Sequence, residues 1–144
     1  FIPATYIRSE NHKLNIYKRI ATISTEEELS DMTDELMDRF GDIPKSAMNL
    51  MKIAQIKSMA HEAYITEIKG NRKEIRIKMF PKAKINPAGI PEIIRSKGSR
   101  MKFTNGDIPY FTYYFTKEEI KSTEDYMESI SAIVEEIKSL RESD

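Results

Sequence analysis

The sequence predicts an α+β fold in which a small antiparallel sheet of about four strands packs against helices. Apolar residues recur at helical spacing up to about residue 61, alternate with polar residues in two later pairs of short segments, and return to helical spacing near the end. Strand pairs of this kind form antiparallel sheets that helices cover on one face. A chain of 144 residues suits one domain, predicted to span residues 1–144.

The helix over residues 25–40 is the clearest predicted element. Ser24 or Thr25 offers the N-cap, and a glutamate three residues later completes a capping box. Four apolar residues then recur about once per turn, as a buried helix face requires. They are Leu29, Met32, Leu36 and Phe40. Gly41 ends the helix, since glycine is the usual residue at this position.

The remaining elements follow from capping and turn residues. Further helices are predicted near residues 10–22, from Pro44 to about His61, and over a short stretch that follows Asn86-Pro87 and ends at Gly98. The predicted strands are Tyr64–Lys69, Glu74–Phe80, Met101–Thr104 and Tyr110–Phe115. A last helix is predicted after Thr116, which forms a second capping box with Glu119.

Composition and motifs argue against an enzyme. Lys and Arg number 23, and so do Asp and Glu, so the formal net charge is zero, whereas general nucleic-acid binders usually carry a basic excess. The chain lacks cysteine, its five glycines are isolated, and His12 and His61 stand far apart. We therefore predict no phosphate loop, metal pair or nucleophilic triad, and no catalytic, metal-binding or cofactor-binding residue.

Hydropathy and the first residue bear on location. No apolar run approaches 18 residues and no signal peptide opens the chain, so we expect no membrane contact and a cytoplasmic location. The chain begins with Phe1 and not with Met, so we expect it to be a piece of a longer protein.

The last predicted strand holds a cluster of aromatic residues: Tyr110, Phe111, Tyr113, Tyr114 and Phe115. Aromatic rings on a sheet can stack nucleic-acid bases, so an accessory module that contacts nucleic acid is the alternative function. The glycine-bearing signature of RNA-recognition domains is missing from the sequence. Aromatic residues also favour strands and pack under helices, and we favour this interpretation.

The helix over residues 25–40 is strongly acidic. Its seven acidic residues are Glu26, Glu27, Glu28, Asp31, Asp34, Glu35 and Asp38. Asp31, Glu35 and Asp38 follow one another at i, i+4 and i+7, a spacing at which like charges repel. The helix dipole favours acids in the first turn but not Glu35 and Asp38 near the carboxyl end. The residues alone leave two interpretations open, a docking site for a basic partner and an ordinary solvated face.

Three stretches carry a resemblance to one family. Ile16–Ala21 reads IYKRIA, Glu35–Pro44 reads ELMDRFGDIP, and Asn49–Ala54 reads NLMKIA. In these motifs and their spacing the sequence resembles the C-terminal domain of bacterial transcription-repair coupling factors, the Mfd family. The resemblance is strong over about the first 70 residues, whereas residues 85–144 resemble the family mainly in the order of their elements.

The resemblance implies a regulatory role. Members of the family are ATP-dependent DNA translocases that displace stalled RNA polymerase and recruit nucleotide excision repair. Their helicase-like motor domains lie upstream, bind DNA, and use ATP and Mg. The C-terminal domain docks on an N-terminal module similar to UvrB, masks the surface that binds UvrA, and restrains the motor. For this chain the resemblance therefore implies autoinhibitory docking, with no cofactor of its own.

The resemblance also implies residue roles. Acidic residues of the ELMDRFGDIP stretch contact arginines of the UvrB-like module, and these acids fall on Glu35 and Asp38. We add Asp31 from the same helix face, and Met37 as an apolar contact, because exposed ion pairs contribute only about 0.2–1 kcal/mol each. Structural support by pairing with a nearby carboxylate is the favoured role of Arg39. Tyr17, Lys18 and Arg19 either support helix packing or contact the partner.

Overall fold

The computed structural model describes residues 1–142, and the chain divides into two compact units. The amino-terminal unit is Phe1–Ser58 and the sheet unit begins at Met59. Three helices follow one another before the first strand: α1 (Glu10–Ile20), α2 (Glu26–Phe40) and α3 (Lys45–Glu62). The boundary between the units falls within α3.

Side-chain caps fix the start of α2, and a glycine fixes its end. The Thr25 hydroxyl accepts a hydrogen bond from the Glu28 backbone N–H at 3.0 Å, while the Glu28 carboxylate accepts one from the Ser24 hydroxyl at 3.0 Å. At the other end, the Gly41 N–H donates to the Met37 carbonyl oxygen at 3.0 Å. Gly41 has φ +86° and ψ −159°, a region essentially restricted to glycine.

The amino-terminal unit has its own apolar core. The buried residues of this core come from the segment before α1, from the loop between α1 and α2, and from all three helices: Ile2, Ile7, Ile16, Ile20, Ile23, Leu29, Met32, Leu36, Ala47 and Met51. The predicted stripe of α2 is thus buried at Leu29, Met32 and Leu36, with Phe40 partly buried at the edge of the core.

The sheet unit contains one four-stranded antiparallel sheet. Its strands are β1 (Ile65–Gly70), β2 (Glu74–Met79), β3 (Met101–Thr104) and β4 (Tyr110–Tyr114), in the order β1-β2-β4-β3. Its longer helices are α4 (Ile90–Lys97) and α5 (Thr123–Lys138). The predicted α+β fold with a four-stranded antiparallel sheet is confirmed.

Alternation divides the sheet into a buried and an open face. The buried face carries Ile75, Ile77, Met79, Met101, Phe111 and Tyr113. The Tyr113 hydroxyl donates to the Glu119 carboxylate at 2.8 Å, which ties the segment before α5 to this face. Burial raises the pKa of Tyr113, and the hydrogen bond to Glu119 raises it further. The aromatic cluster is therefore split, since Phe111 and Tyr113 are buried while Tyr110 and Tyr114 lie on the open face.

The turn between β1 and β2 requires a glycine. A Cβ atom at Gly70 would lie 2.2 Å from the Glu74 carbonyl oxygen. The Asn71 side chain closes the same turn by accepting hydrogen bonds from the backbone N–H groups of Lys73 at 2.8 Å and Glu74 at 3.2 Å. The predicted hairpin and its turn thus match the structure.

The last predicted helix differs from the structure at its start. The capping box of Thr116 and Glu119 forms, but it closes a single 3₁₀ turn, and α5 begins at Thr123 after a new N-cap at Ser122. Burial extends around much of α3. Its buried residues are Ala47, Met51, Gln55, Ile56, Met59 and Ala60.

Candidate docking surface

Four carboxylates line the outer side of α2. Glu27, Asp31, Asp34 and Asp38 follow one another at spacings of four, three and four residues, so they fall on one narrow side of the helix. All four are exposed, and none makes an ion pair within residues 1–142. We call these four residues the acidic stripe. Like charges at such spacings repel, so the stripe lowers the stability of the helix that carries it.

The other three acidic residues of α2 have hydrogen-bond or ion-pair partners within the chain. The Glu26 carboxylate receives a hydrogen bond from Lys52 Nζ at 3.2 Å, and bonds from Gln55 and Lys52 lower its pKa against the opposing effect of burial. Glu28 belongs to the N-cap. Glu35 forms ion pairs with two arginines. The seven acids therefore divide into three with local partners and four in the stripe.

Glu35 is clamped between α1 and α2. Arg19 on α1 pairs with it through both guanidinium nitrogens, Nη2 lying 2.7 Å from Oε1 and Nη1 bonding Oε2. Arg39, one helical turn after Glu35, donates to Oε2 at 3.0 Å. The bond from Arg19 is the largest cause that lowers the pKa of Glu35 to about 2, and the bond from Arg39 lowers it as well. Partial burial acts in the opposite direction. Glu35 is therefore ionised and locally neutralised.

Aromatic contacts hold the carboxyl end of α2 and the chain start. The Arg39 guanidinium carbon lies 4.9 Å from the centroid of the Phe40 ring, which in turn packs against Tyr6 at 5.8 Å. The Tyr6 hydroxyl lies 3.2 Å from the Leu36 carbonyl oxygen and 3.0 Å from that of Gly41. Burial and the nearby charge of Asp42 raise the pKa of Tyr6.

Tyr17 performs a similar task on α1. Its hydroxyl accepts a hydrogen bond from the Ile2 backbone N–H at 2.5 Å, which fixes the segment that precedes the helix. Tyr17, Arg19 and Arg39 thus all have partners within the amino-terminal unit. Their assignment to structural support stays a prediction.

Met37 and a shallow groove lie on opposite sides of the stripe. Met37 is 50% exposed, a high value for a large apolar side chain, and its position on α2 places it beside Asp34 and Asp38. On the other side, α1 and α2 enclose an open groove of about 210 Å³ whose lining includes Arg19, Asp31 and Glu35. The surface therefore offers an anionic centre with one apolar neighbour.

The structure brings the predicted docking residues onto one helix but gives them different surroundings. Asp31 and Asp38 belong to the stripe, Met37 flanks it, and Glu35 sits beside it under two arginines. Glu27 and Asp34 are equally part of the stripe and were not singled out as docking residues. Their spacing from Asp31 and Asp38 is the sequence signal that identifies them.

Within residues 1–142 no group of three or more His, Asp or Glu side chains is placed to hold a metal ion. The same residues include no helix that is both long enough and apolar enough to cross a membrane.

A comparison with family models identifies residues 1–90 as a TRCF domain. The chain belongs to the TRCF domain family. The resemblance to the C-terminal domain of transcription-repair coupling factors is thereby confirmed, and the matched TRCF segment includes α1, α2 and the acidic stripe.

Curated relatives and a solved structure agree with this assignment. The transcription-repair-coupling factor of Staphylococcus epidermidis is 45% identical over 83 residues, which cover 58% of this chain and 7% of that protein. The Escherichia coli transcription-repair-coupling factor is 36% identical over 110 residues, or 71% of this chain and 10% of that protein. The chain therefore spans about a tenth or less of the length of these relatives.

The fold has a solved counterpart. A crystal structure of the C-terminal domain of transcription-repair coupling factor superposes with a TM-score of 0.81 at 19% sequence identity, covering 98% of this chain and 88% of that one. At this identity the likeness supports the fold of this TRCF domain and not the role of any residue.

Proposed function

We propose that this TRCF domain is the regulatory C-terminal domain of a transcription-repair coupling factor and acts by autoinhibitory docking. The acidic stripe of α2 binds a basic surface of the UvrB-like N-terminal module in the same protein and masks the UvrA-binding surface. The observation that carries the proposal is the acidic stripe itself: four exposed carboxylates that make no ion pair within residues 1–142, on a helix that their repulsion destabilises.

The surrounding contacts support different roles for the acidic residues of α2. Asp31 and Asp38 supply charge that is not neutralised within residues 1–142, whereas Glu35 already carries two guanidinium groups. We therefore propose that Asp31 and Asp38 contribute most of the electrostatic attraction. Glu35 joins the interface as a positioned carboxylate whose remaining lone pairs accept a partner arginine.

Charge alone is too weak to hold the docked state. Four exposed ion pairs contribute at most about 4 kcal/mol. Moving a two-state equilibrium from 1:99 to 99:1 requires about 5.5 kcal/mol. Met37 supplies an apolar contact beside the charges, and covalent tethering within one protein raises the effective concentration of the two surfaces.

The remaining roles belong to the longer protein. We propose that the ATP-dependent DNA translocase activity, with its ATP and Mg, resides in motor domains outside this chain, as does the contact with the duplex DNA along which the motor moves. Displacement of RNA polymerase and recruitment of UvrA follow from release of the docked domain. The chain itself then needs no cofactor and catalyses no reaction.

Calorimetric titration of this chain against the UvrB-like N-terminal module tests the proposal. We expect binding that weakens when salt is raised, because exposed charges are screened. Replacing Asp31→Asn and Asp38→Asn together is expected to weaken binding roughly 2- to 30-fold, the effect of losing two exposed pairs. The matched control, Asp107→Asn with Glu135→Gln, removes the same charge from the sheet unit and should leave the affinity unchanged.

A second pair of variants separates the apolar contact from the charges. Met37→Ser should weaken binding without changing its salt dependence, whereas Met48→Ser, at another half-exposed methionine, should have no effect. In the full-length protein the Asp31 and Asp38 double variant should bind UvrA more tightly than the parent. Unchanged UvrA binding by a folded double variant would refute the masking role.

A further inference from the structure

The open face of the sheet is a second charged surface, and its charge is positive. The strand register places Lys69 of β1 opposite Arg76 of β2, Arg76 opposite Thr112 of β4, and Thr112 opposite Lys102 of β3. We call these four residues the cross-strand row. Since neighbouring strands lie about 4.8 Å apart, the row spans about 14 Å. It therefore aligns three cations across the full width of the sheet.

A tyrosine lies on each side of this row. Tyr110 and Tyr114 precede and follow Thr112 by two residues on β4, so they share its face. The Arg76 guanidinium carbon lies 4.3 Å from the centroid of the Tyr110 ring, and Lys102 Nζ lies 5.6 Å from that of Tyr114. Tyr114 is 38% exposed, so part of its ring is open to solvent.

A groove runs along the face on the β1 and β2 side. It has a volume of about 380 Å³, and its lining includes Lys69, Arg76 and Lys78 together with Asn71 and Glu74. Lys78 is partly neutralised by Glu67, whose carboxylate lies 2.9 Å from its Nζ. Across the whole open face, four cations (Lys69, Arg76, Lys78 and Lys102) stand against two carboxylates (Glu67 and Glu74). The local excess is therefore positive in a chain whose net charge is zero.

We propose that the open face binds single-stranded nucleic acid. Proteins that hold single strands without sequence preference combine a positive groove for the phosphates with aromatic side chains on which bases stack, and Arg planes add to the stacking. Here Lys69, Arg76 and Lys102 provide the phosphate contacts. Tyr114 provides the stacking ring, and Arg76 over Tyr110 provides a second platform. An acidic peptide would use the cations but would leave the exposed ring of Tyr114 without a role.

Fluorescence anisotropy of the 144-residue chain with labelled oligothymidylate tests the proposal. Three phosphate contacts predict a salt slope near −2, so the affinity should fall about 20-fold between 50 and 200 mM salt. Arg76→Gln with Lys102→Gln should abolish most of the binding. The matched control, Arg95→Gln with Lys121→Gln, removes two exposed cations of the same unit that lie outside the strands and should leave binding intact.

Stacking is tested separately at Tyr114. Tyr114→Ala should weaken binding at least about fivefold, whereas Tyr114→Phe, which keeps the ring, should bind as the parent does. Far-ultraviolet circular dichroism of each variant verifies that the sheet is retained. Four results would overturn the proposal: no binding at 50 mM salt, equal losses in the control pair, no effect of Tyr114→Ala, or displacement of the oligonucleotide by equimolar polyglutamate.

Discussion

On α2 the four carboxylates of the acidic stripe line one side of a single helix, whereas on the sheet the cations of the cross-strand row come from three different strands. Each helix position follows from the spacing of the sequence, so local order alone creates the acidic stripe. The row on the sheet exists only because hairpin pairing and the order β1-β2-β4-β3 bring Lys69, Arg76 and Lys102 into line.

A net charge of zero can conceal two charged surfaces of opposite sign. Averaged over the chain, 23 basic and 23 acidic residues argue against an electrostatic partner of either sign. Distributed by the fold, they give one unit an anionic helix and the other a cationic sheet face. A positive and a negative partner are therefore compatible with the same composition.

On the sheet side, one substitution is expected to be strongly destabilising. Gly70→Ala places a Cβ atom 2.2 Å from the Glu74 carbonyl oxygen, so the turn must shift and β1 loses its register with β2. We expect a loss of about 2 kcal/mol or more in the free energy of unfolding, measured by urea denaturation. Hydrogen exchange should locate the loss in β1 and β2, and oligonucleotide binding should fall with it.

Gly106→Ala is the matched control for this substitution. Gly106 has φ +157°, close to the +156° of Gly70, but nothing lies within 4 Å of a Cβ atom at this position. Both variants carry the backbone strain, and the difference between them isolates the collision at Gly70. Equal losses at the two positions would contradict the role assigned to the close contact.

An intermediate effect is expected from Glu35→Gln on the helical side. The variant loses the paired bonds from Arg19, and because these groups are about one-third exposed or more, the cost is about 1 kcal/mol or less. The pKa of Glu35 is about 2 in the folded chain, below the usual 4.5. Its contribution is therefore complete above about pH 4.5 and disappears as the pH falls through about 2.

Urea denaturation of parent and variant at several pH values measures this difference. Glu118→Gln serves as the control, since its pair with Lys121 is much more exposed and should contribute almost nothing at any pH. A difference between parent and Glu35→Gln that persisted unchanged to pH 2 would show that the carboxylate charge is not its source.

A pair of substitutions on α2 is expected to change the free energy of unfolding only slightly, and to raise it instead of lowering it. Asp31→Asn with Asp38→Asn removes repulsion along the stripe and should raise the free energy of unfolding by about 0.5 kcal/mol. The same double variant is expected to dock less well. Thermal denaturation at low salt measures the gain, which should shrink at high salt. A loss of stability instead would mean that the stripe is paired within the chain.

Much of the fold could be predicted from local signals. The capping box at Thr25 and Glu28, the Gly70-Asn71 turn and the alternation of Glu74–Met79 each depend on neighbours within a few residues. The start of α5 was missed because two caps, at Thr116 and Ser122, compete within six residues. Sequence spacing does not decide which of them begins the longer helix.

The candidate site could be predicted only in part. The carboxylates share a helix face by spacing alone, and the i, i+4 spacing also indicates the bond from Arg39 to Glu35. The other partner of Glu35 is Arg19, sixteen residues away on another helix, and no local pattern indicates this pair. The alignment of Lys69, Arg76 and Lys102 could likewise not be predicted from the sequence, because it depends on the strand order.

The backbone of Gly41 has a consequence for comparing relatives. Its dihedral angles are those of glycine, so any chain that ends this helix in the same way must keep a glycine there, whether or not it docks on anything. Survival of Gly41 in a distant relative thus reports inheritance of the way this helix ends. Inheritance of the proposed docking is better judged from Asp31, Asp34 and Asp38, whose side chains make no ion pair within residues 1–142.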